Sequence, residues 1–273
     1  MWYQMACLIM GVACSVADVS GHPSSVATVR IANPSNVERE HVPVTFGQVF
    51  RRGDIGRGIV VRADDRAIPA QIDVKRHYDD GSVRFAIVSI VLESLPAKKE
   101  IALGLCDGPA KVHARAPAAV SDVLNAGLGA AVQFRFPDGT KSQVSAEKLL
   151  RDDSARWLQG PIATEWVVSG APADEAGNPD PDLSVLFLIR VYPECGAIRV
   201  SVTTENCWDH WAEALGYDVA VVIEGREVFS SKDVRHRRLS RWRKTFWTGN
   251  PAHHLHVAHD LDYLSATGAL PRY

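Results

Sequence analysis

Residues 68–92 read IPAQIDVKRHYDDGSVRFAIVSIVL, and this stretch decides the fold because it holds two apolar runs joined by a turn. The dipeptide Asp80-Gly81 between the runs is a strong hairpin signal, since a type I′ turn needs positive φ at both central residues. We therefore expect residues 72–74 to pair antiparallel with residues 83–87. Residues 85–92 lack polar alternation, which predicts a strand covered on both faces.

Short β-branched or apolar runs between turn residues continue this pattern along the chain. We expect strands at residues 26–32, 42–50, 68–74, 85–92, 101–105, 132–136, 164–169, 183–192, 198–204, 217–223 and 243–247. Short helices are expected at 121–128 and 145–151, where a serine caps the first turn, and at 259–267. The sequence therefore predicts an all-β fold with few short helices.

A stretch rich in Ala and Pro, with Pro109 and Pro117, separates two groups of strands and predicts a domain boundary. We assign 22–105 to a first β domain, 106–120 to a linker and 121–258 to a second, β-sandwich-like domain. Residues 259–273 are expected to start a helix that leads to a further domain. Leu261 and Leu264 of that helix need a surface, which the further domain would provide.

The N-terminal residues 1–21 differ from the rest. Residues 5–16 are almost entirely apolar, and Ser15 and Ala17 are small residues at the positions that a signal peptidase reads. This pattern predicts export, but residues 1–4 carry no Lys or Arg, so an anchor or a buried strand is the alternative. We expect a secreted, periplasmic or cell-surface protein, or a virion-associated one. The other apolar runs are too short to span a bilayer.

The composition is that of a globular protein, with 46% hydrophobic residues, 23% charged residues and a net charge of -2. These values exclude a disordered chain and indicate no particular partner. The chain also lacks a phosphate-binding glycine loop, a Gly-x-Ser-x-Gly elbow and a His-Glu-x-x-His motif, which removes the enzyme classes that these motifs mark. We expect no cofactor.

Three segments carry a family resemblance: VTFGQVFRRGD at 44–54, IPAQIDV at 68–74 and DGSVR at 80–84. Together they resemble the N-terminal RIFT-type β-barrel domain of exo-rhamnogalacturonan lyase-like proteins, a family of polysaccharide lyases. Residues 236–247 and 259–273 resemble the β domain that follows in this family and leads into a helical toroid. The resemblance implies a RIFT-type barrel followed by a β-sandwich-like domain. It assigns no catalytic residue to a position in this chain.

Positive charge is concentrated in residues 232–247, which hold seven Lys or Arg residues and one acid, a net charge of +6 against -8 for the rest of the chain. Arg forks bind carboxylates and indole faces stack on sugar rings, so this segment suits an acidic polysaccharide. The alternatives are protection of an exposed strand edge and a docking surface for a helical domain. No specific nucleic acid is expected. The candidate binding residues are Arg235, Arg238, Arg241, Trp242, Arg243, Lys244 and Trp247.

Two further candidates are histidines. His236 lies among the arginines and is the candidate catalytic base of a lyase. His254 and His256 share a strand face and are candidate metal ligands, although no defined zinc spacing matches. Two kinds of function remain open: a non-catalytic β module that binds acidic carbohydrate or docks a helical catalytic domain, and a lyase acting on uronate-containing glycan. A phage or cell-surface assembly protein is a further alternative.

Overall fold

The computed structural model describes residues 24–64, 66–109, 116–125, 127–152, 155–206, 214–249 and 255–270. The first strands are β1 (Ala27–Ala32), β2 (Arg39–Val49), β3 (Ile59–Ala63), β4 (Arg66–Ile68), β5 (Gln71–His77), β6 (Val83–Leu95) and β7 (Glu100–Asp107). They are followed by α1 (Val120–Asn125), β8 (Ala130–Arg135), β9 (Lys141–Ser145), α2 (Ala146–Asp152), β10 (Ala155–Gln159), β11 (Thr164–Gly170), β12 (Ala173–Asp174), β13 (Leu183–Tyr192), β14 (Ala197–Asn206), β15 (Leu215–Ile223), β16 (Arg226–His236), β17 (Ser240–Thr248), β18 (His256–His259) and α3 (Leu261–Ala266). The prediction of an all-β fold with few short helices is confirmed. The predicted signal or anchor segment, residues 1–21, lies outside the described residues.

The hairpin of β5 and β6 confirms the predicted pairing, since Asp73 lies opposite Ile87 and Val74 opposite Ala86 in an antiparallel register. The prediction of a strand covered on both faces is also confirmed, because residues 86–90 are all buried. One face of β6 packs into the core of its own sheet pair. On the other face, Ile87 packs against residues from the second half of the chain.

The turn of this hairpin differs from the predicted type I′ turn. Of its residues only Gly81 has a positive φ, 82°, so Asp80 keeps an ordinary backbone conformation. The Asp80 carboxylate instead accepts hydrogen bonds from the Ser82 hydroxyl at 2.6 Å and the Ser82 backbone N–H at 3.0 Å. The hydroxyl bond, followed by the backbone bond, lowers the pKa of Asp80. The Asp80 carboxylate thus stabilises a turn in which only Gly81 has a positive φ.

The first block consists of two sheets that share one core. The larger has the order β18-β1-β7-β3-β4, and the smaller, the three-stranded sheet, has the order β2-β6-β5. Val29, Phe46, Val88 and Leu103 from both sheets meet in the core. The described strands do not close into a barrel, so the RIFT-type barrel implied by the resemblance is not observed. β1 pairs with β7 along one edge and with β18 along the other, so neither edge of β1 is available to pair with β2.

Residues 255–270 pack on this first block. β18 pairs antiparallel with β1, although the sequence analysis assigned residues 256–258 to the second domain. In α3 the buried residue is Tyr263, whose hydroxyl donates to Asp54 Oδ2 at 2.7 Å. Leu261, which was expected to need a covering domain, is 66% exposed. The division into domains with a linker at 106–120 stays a prediction.

The second block is a β-sandwich, as expected from the sequence. One layer, the junction sheet, has the order β10-β11-β13-β14-β17, and the other, the groove sheet, has the order β12-β9-β8-β15-β16. Apolar residues at alternate positions of both sheets, among them Phe134, Trp166, Phe187 and Val221, form a core of their own. The outer faces of the two sheets therefore point in opposite directions.

The two blocks meet where the three-stranded sheet packs against the outer face of the junction sheet. Ile87 from β6 joins Leu158, Ala163, Tyr192 and Ala197 in a small apolar cluster. The hydroxyl of Tyr192 also makes a 2.8 Å hydrogen bond with Thr45 Oγ1 of β2. This contact covers the end of the junction sheet at Tyr192, whereas Arg241 and Arg243 toward the other end are exposed.

Gln71 joins the two blocks through its side-chain amide. Its Oε1 accepts hydrogen bonds from the backbone N–H groups of Ile162 at 3.0 Å and Ala163 at 2.8 Å, and its Nε2 donates to Ala163 O at 2.8 Å. A Cβ at position 160 would lie 2.2 Å from Gln71 Cδ, so Gly160 permits this approach. The amide satisfies backbone groups that would otherwise be buried without partners.

Substitution Gln71→Ala should therefore destabilise the protein. It leaves two N–H groups and one carbonyl without partners at the junction, and a buried unsatisfied group costs about 1–3 kcal/mol. We expect the free energy of unfolding in urea to fall by roughly 2–4 kcal/mol. The matched control Gln133→Ala removes an exposed glutamine of β8 and should change it by less than about 0.5 kcal/mol. Equal stability of the two variants would contradict the role of Gln71.

Candidate functional site

The basic segment 232–247 does not form one surface. Its first part belongs to β16, an edge strand of the groove sheet, and its second part to β17, an edge strand of the junction sheet. The chain thus crosses from one layer of the sandwich to the other within this segment. Arg235 on β16 and Arg238 in the crossing are both exposed, but they are separated from the face that carries Arg241 and Arg243.

The tryptophans of this segment are used for packing. The Trp242 Nε1–H donates to the Tyr217 hydroxyl at 3.0 Å, and its ring packs beside Phe229 against the sandwich core. Lys244 lies on the same side, with Nζ 4.7 Å from the centre of the Phe229 ring. Trp247 stacks on Tyr192 at the junction, with 6.0 Å between ring centres. Trp242 is therefore used inside the sandwich, whereas Trp247 lies directly opposite Arg199 on the outer face of the junction sheet, half-buried against Tyr192.

His236 is enclosed and bonded at both ring nitrogens. Its Nδ1 lies 2.8 Å from the Tyr217 hydroxyl and its Nε2 lies 2.9 Å from Ser240 O. Because Tyr217 accepts from the Trp242 indole, its own proton goes to His236 Nδ1, and His236 Nε2–H donates to the carbonyl. This arrangement holds a neutral imidazole, and we assign it a structural role.

The candidate metal ligands are not brought together among the residues that can be described. His254 lies outside them, and His256 is an exposed residue of β18. Within the described ranges, no group of three or more His, Cys, Asp or Glu side chains is placed to hold a metal ion. His259 at the end of β18 instead bonds to Gln48, with 3.0 Å between Nδ1 and Oε1.

The outer face of the junction sheet carries a set of charged residues that come from four different strands. In the strand register, Glu165 lies opposite Arg190, Arg190 opposite Arg199, and Thr203 opposite Arg243. Directly paired residues of neighbouring strands share a face, so these side chains lie on one surface. We call this surface the arginine face, and its members are Glu165, Arg190, Arg199, Arg241 and Arg243.

The buried end of the arginine face is an ion pair. Arg190 Nη2 donates to Glu165 Oε2 at 2.9 Å, and the carboxylate side chain is fully buried. Arg190 Nη1 also reaches the Tyr192 hydroxyl at 3.4 Å, which links the pair to the junction. Glu165 Oε1 has no hydrogen-bond partner among the described residues. This end of the arginine face thus contains one carboxylate, Glu165, and two cations, Arg190 and Arg199.

Arg199 is half-buried and lies directly opposite Arg190. In the part of the chain that is described, no residue forms a hydrogen bond or an ion pair with its guanidinium. Burial, followed by the charge of Arg190, lowers the pKa of Arg199. A partly desolvated cation of this kind is stabilised when an anion binds beside it.

The open end of the face continues the positive charge. Arg243 is exposed and lies four residues further along the sheet than Arg199, about 13 Å at the usual rise of a strand. Arg241 lies beyond it and is 3.7 Å from Glu205, with 74% of its side chain exposed. Between Arg199 and Arg243, the buried Ser201 hydroxyl makes a 2.9 Å hydrogen bond with Oγ1 of the exposed Thr245. One end of the arginine face, at Glu165, is therefore buried, and the other end, at Arg241 and Arg243, is exposed to solvent.

Two members of the arginine face were predicted from the sequence and three were missed. Arg241 and Arg243 stood out because they lie in a dense basic run. Glu165, Arg190 and Arg199 are isolated charges in apolar strands, at the alternate positions that point away from the sandwich core. A charged residue at an outward position of an apolar strand is a usable sequence signal for a functional surface. Only the pairing of the strands, however, shows that these three residues are neighbours.

No family model matches the chain, and no curated protein matches it. Among solved structures, the chain is similar to an α-mannosidase from Enterococcus faecalis V583, with 8% sequence identity and a TM-score of 0.41. The match covers 87% of this chain and 47% of that one, so the chain spans about half the length of the mannosidase. No helix among the described residues is long and apolar enough to cross a membrane.

The enclosed His236 predicts a dependence of stability on pH. Burial lowers the pKa of His236 below its ordinary value of 6.5, so the unfolded chain binds the proton more readily than the folded one. The contribution to stability is complete above pH 6.5 and is lost as the pH falls below it. His259, whose pKa burial also lowers, acts in the same direction.

Urea unfolding between about pH 7.5 and 5 should show this decline, and His236→Gln should reduce its slope. The matched control His77→Gln changes an exposed histidine of β5 and should leave the slope unchanged. An unchanged slope in His236→Gln would contradict the structural assignment.

Proposed function

We propose that the protein is a non-catalytic β module that holds a carboxylate-bearing polysaccharide on the arginine face. The observation that carries the proposal is the half-buried guanidinium of Arg199, which lies beside Arg190 and forms no ion pair with the described residues. Arg binds carboxylates through two parallel hydrogen bonds, and these are strong where water is partly excluded. A uronate carboxylate meets both requirements.

The open end of the face favours a polymer over a small anion. Arg243 and Arg241 repeat the positive charge along β17, with the exposed Thr245 hydroxyl between them and Arg199. A chain of acidic sugars presents carboxylates and hydroxyls in alternation, so it pairs with both kinds of group. The first block covers the other end of the face at Tyr192, so a bound sugar chain extends from Arg199 toward Arg243.

Binding without catalysis is the simpler interpretation of this geometry. A lyase needs a base that removes a proton beside the carboxylate. The Tyr192 hydroxyl, which is near Arg190, is bonded to Thr45, and both nitrogens of His236 are bonded inside the sandwich. Neither side chain has a free atom that points to a ligand at Arg199. We therefore favour a module that positions glycan for another protein or domain.

Substitution Arg199→Met should weaken binding to polygalacturonate. The lost charge-assisted contact is worth on the order of 1.5–3 kcal/mol, which corresponds to about a 10- to 150-fold rise in Kd. Arg243→Met should have a smaller effect that disappears at high salt, because this side chain is exposed. Affinity electrophoresis at two salt concentrations measures both changes.

The stability of the same variant separates binding from folding. Arg199 has no internal ion pair to lose, so Arg199→Met should leave the free energy of unfolding unchanged or raise it. The matched control Arg226→Met removes an arginine from the hairpin of β15 and β16, where its side chain is 83% exposed. If Arg226→Met weakens binding as much as Arg199→Met, the interaction is general charge attraction and the proposal is wrong.

A further inference from the structure

The outer face of the groove sheet contains a second, separate concavity. It is an open groove of about 830 Å³ that runs across β9, β8, β15 and β16. We propose that this groove is a second saccharide site, which takes a short oligosaccharide with a single carboxylate near one end. The proposal does not depend on the arginine face, because the two sheets are opposite layers of the sandwich with the core between them.

Small residues and a bulge give the groove its shape. Ala220 in the middle of the sheet and Ala173 on β12 provide a floor without long side chains. The wall along β16 bends at Asp233, which has a φ of 52° and donates its backbone N–H to Asp218 Oδ1 at 2.9 Å. A bulge of this kind turns an edge strand and re-aims its side chains.

A row of uncharged polar side chains crosses the middle of the groove. Gln143 lies opposite Gln133, Gln133 opposite Ala220, and Ala220 opposite Ser230. The three polar side chains are exposed, and none of them forms a hydrogen bond with another described residue. Each amide offers two donors and an oxygen acceptor, which is the set that neighbouring sugar hydroxyls require.

The next row along the sheet is positively charged. Lys141 lies opposite Arg135, Arg135 opposite Asp218, and Lys232 follows in the bulged part of β16. All three cations are exposed and line the groove. The carboxylates near this row are Asp218, one of whose oxygens already accepts the backbone bond from Asp233, and Glu175, which follows Asp174 beside β9 and so lies toward Lys141. The row thus has an excess of positive charge for a ligand carboxylate.

The opposite end of the groove is acidic. Glu227 on β16 lines it there, opposite Val222 of β15, and accepts hydrogen bonds but donates none when ionised. A polyanion that fills the whole groove would meet this carboxylate and be repelled. An oligosaccharide that places one carboxylate at the cationic row and hydroxyls at the acidic end satisfies both ends. This distribution favours an acidic saccharide over nucleic acid.

Protection of individual lysines from acetylation tests whether the saccharide binds in the groove. The protein is treated with a limiting amount of acetylating reagent with and without a galactotriose whose one terminal residue is galacturonate, and each lysine is followed by peptide mass spectrometry. With the saccharide at about twice its Kd, Lys141 and Lys232 should react roughly threefold more slowly. Lys99, an exposed lysine of the first block, should react at an unchanged rate. Neutral galactotriose should protect Lys141 and Lys232 less.

Two variants complete the test. Gln133→Ala combined with Gln143→Ala keeps every cation, so a loss of protection in this variant shows that the amide row binds the saccharide. Arg199→Met should retain full protection at Lys141 and Lys232, because that residue lies on the other sheet. Unprotected lysines, equal protection of Lys99, equal protection by neutral galactotriose or unchanged protection in the glutamine variant would each overturn the proposal. Loss of polygalacturonate binding in Arg199→Met with the groove still protected separates this result from the proposed function.

Discussion

The pairing of the Gln71 amide with the backbone of residues 162 and 163 is the interaction on which the arrangement of the two blocks depends. It fixes the loop before β11 against β5 and thereby sets the three-stranded sheet over one end of the junction sheet. Tyr192 then reaches Thr45, and the apolar cluster around Ile87 closes. The junction sheet is thus covered at the end that carries Tyr192, while Arg241 and Arg243 toward its other end are exposed.

This one-sided cover explains the electrostatics of the arginine face. At the closed end, Glu165 is fully buried, and its ion pair with Arg190 is held in a partly desolvated environment. Arg199 is next in the same row and shares that environment without a carboxylate of its own. Charges interact more strongly where water is excluded, so a ligand carboxylate at Arg199 gains more than one at the exposed Arg243. The affinity of the face is therefore concentrated at its covered end.

The sequence predicted those features that depend on local patterns. Residues 183–192 are a mostly apolar run and form β13 with the predicted bounds, whereas β16 was missed because most of Arg226–His236 is polar and exposed, as an edge strand permits. The basic run 232–247 was recognised, but its division between two sheets depends on where the chain crosses the sandwich. Arg190 and Arg199 become neighbours through the hairpin register of β13 and β14, and Arg243 joins them through the pairing of β14 with β17, which are distant in sequence. The second pairing leaves no signature in a single sequence.

The central claim is that a sugar carboxylate binds at Arg199. It is tested most directly by a crystal structure of the protein with trigalacturonate at saturating concentration. The account predicts a carboxylate oxygen about 2.8 Å from the Arg199 guanidinium, with the sugar chain extending toward Arg243. A saccharide bound elsewhere, with the Arg199 guanidinium left without an anion, would contradict it.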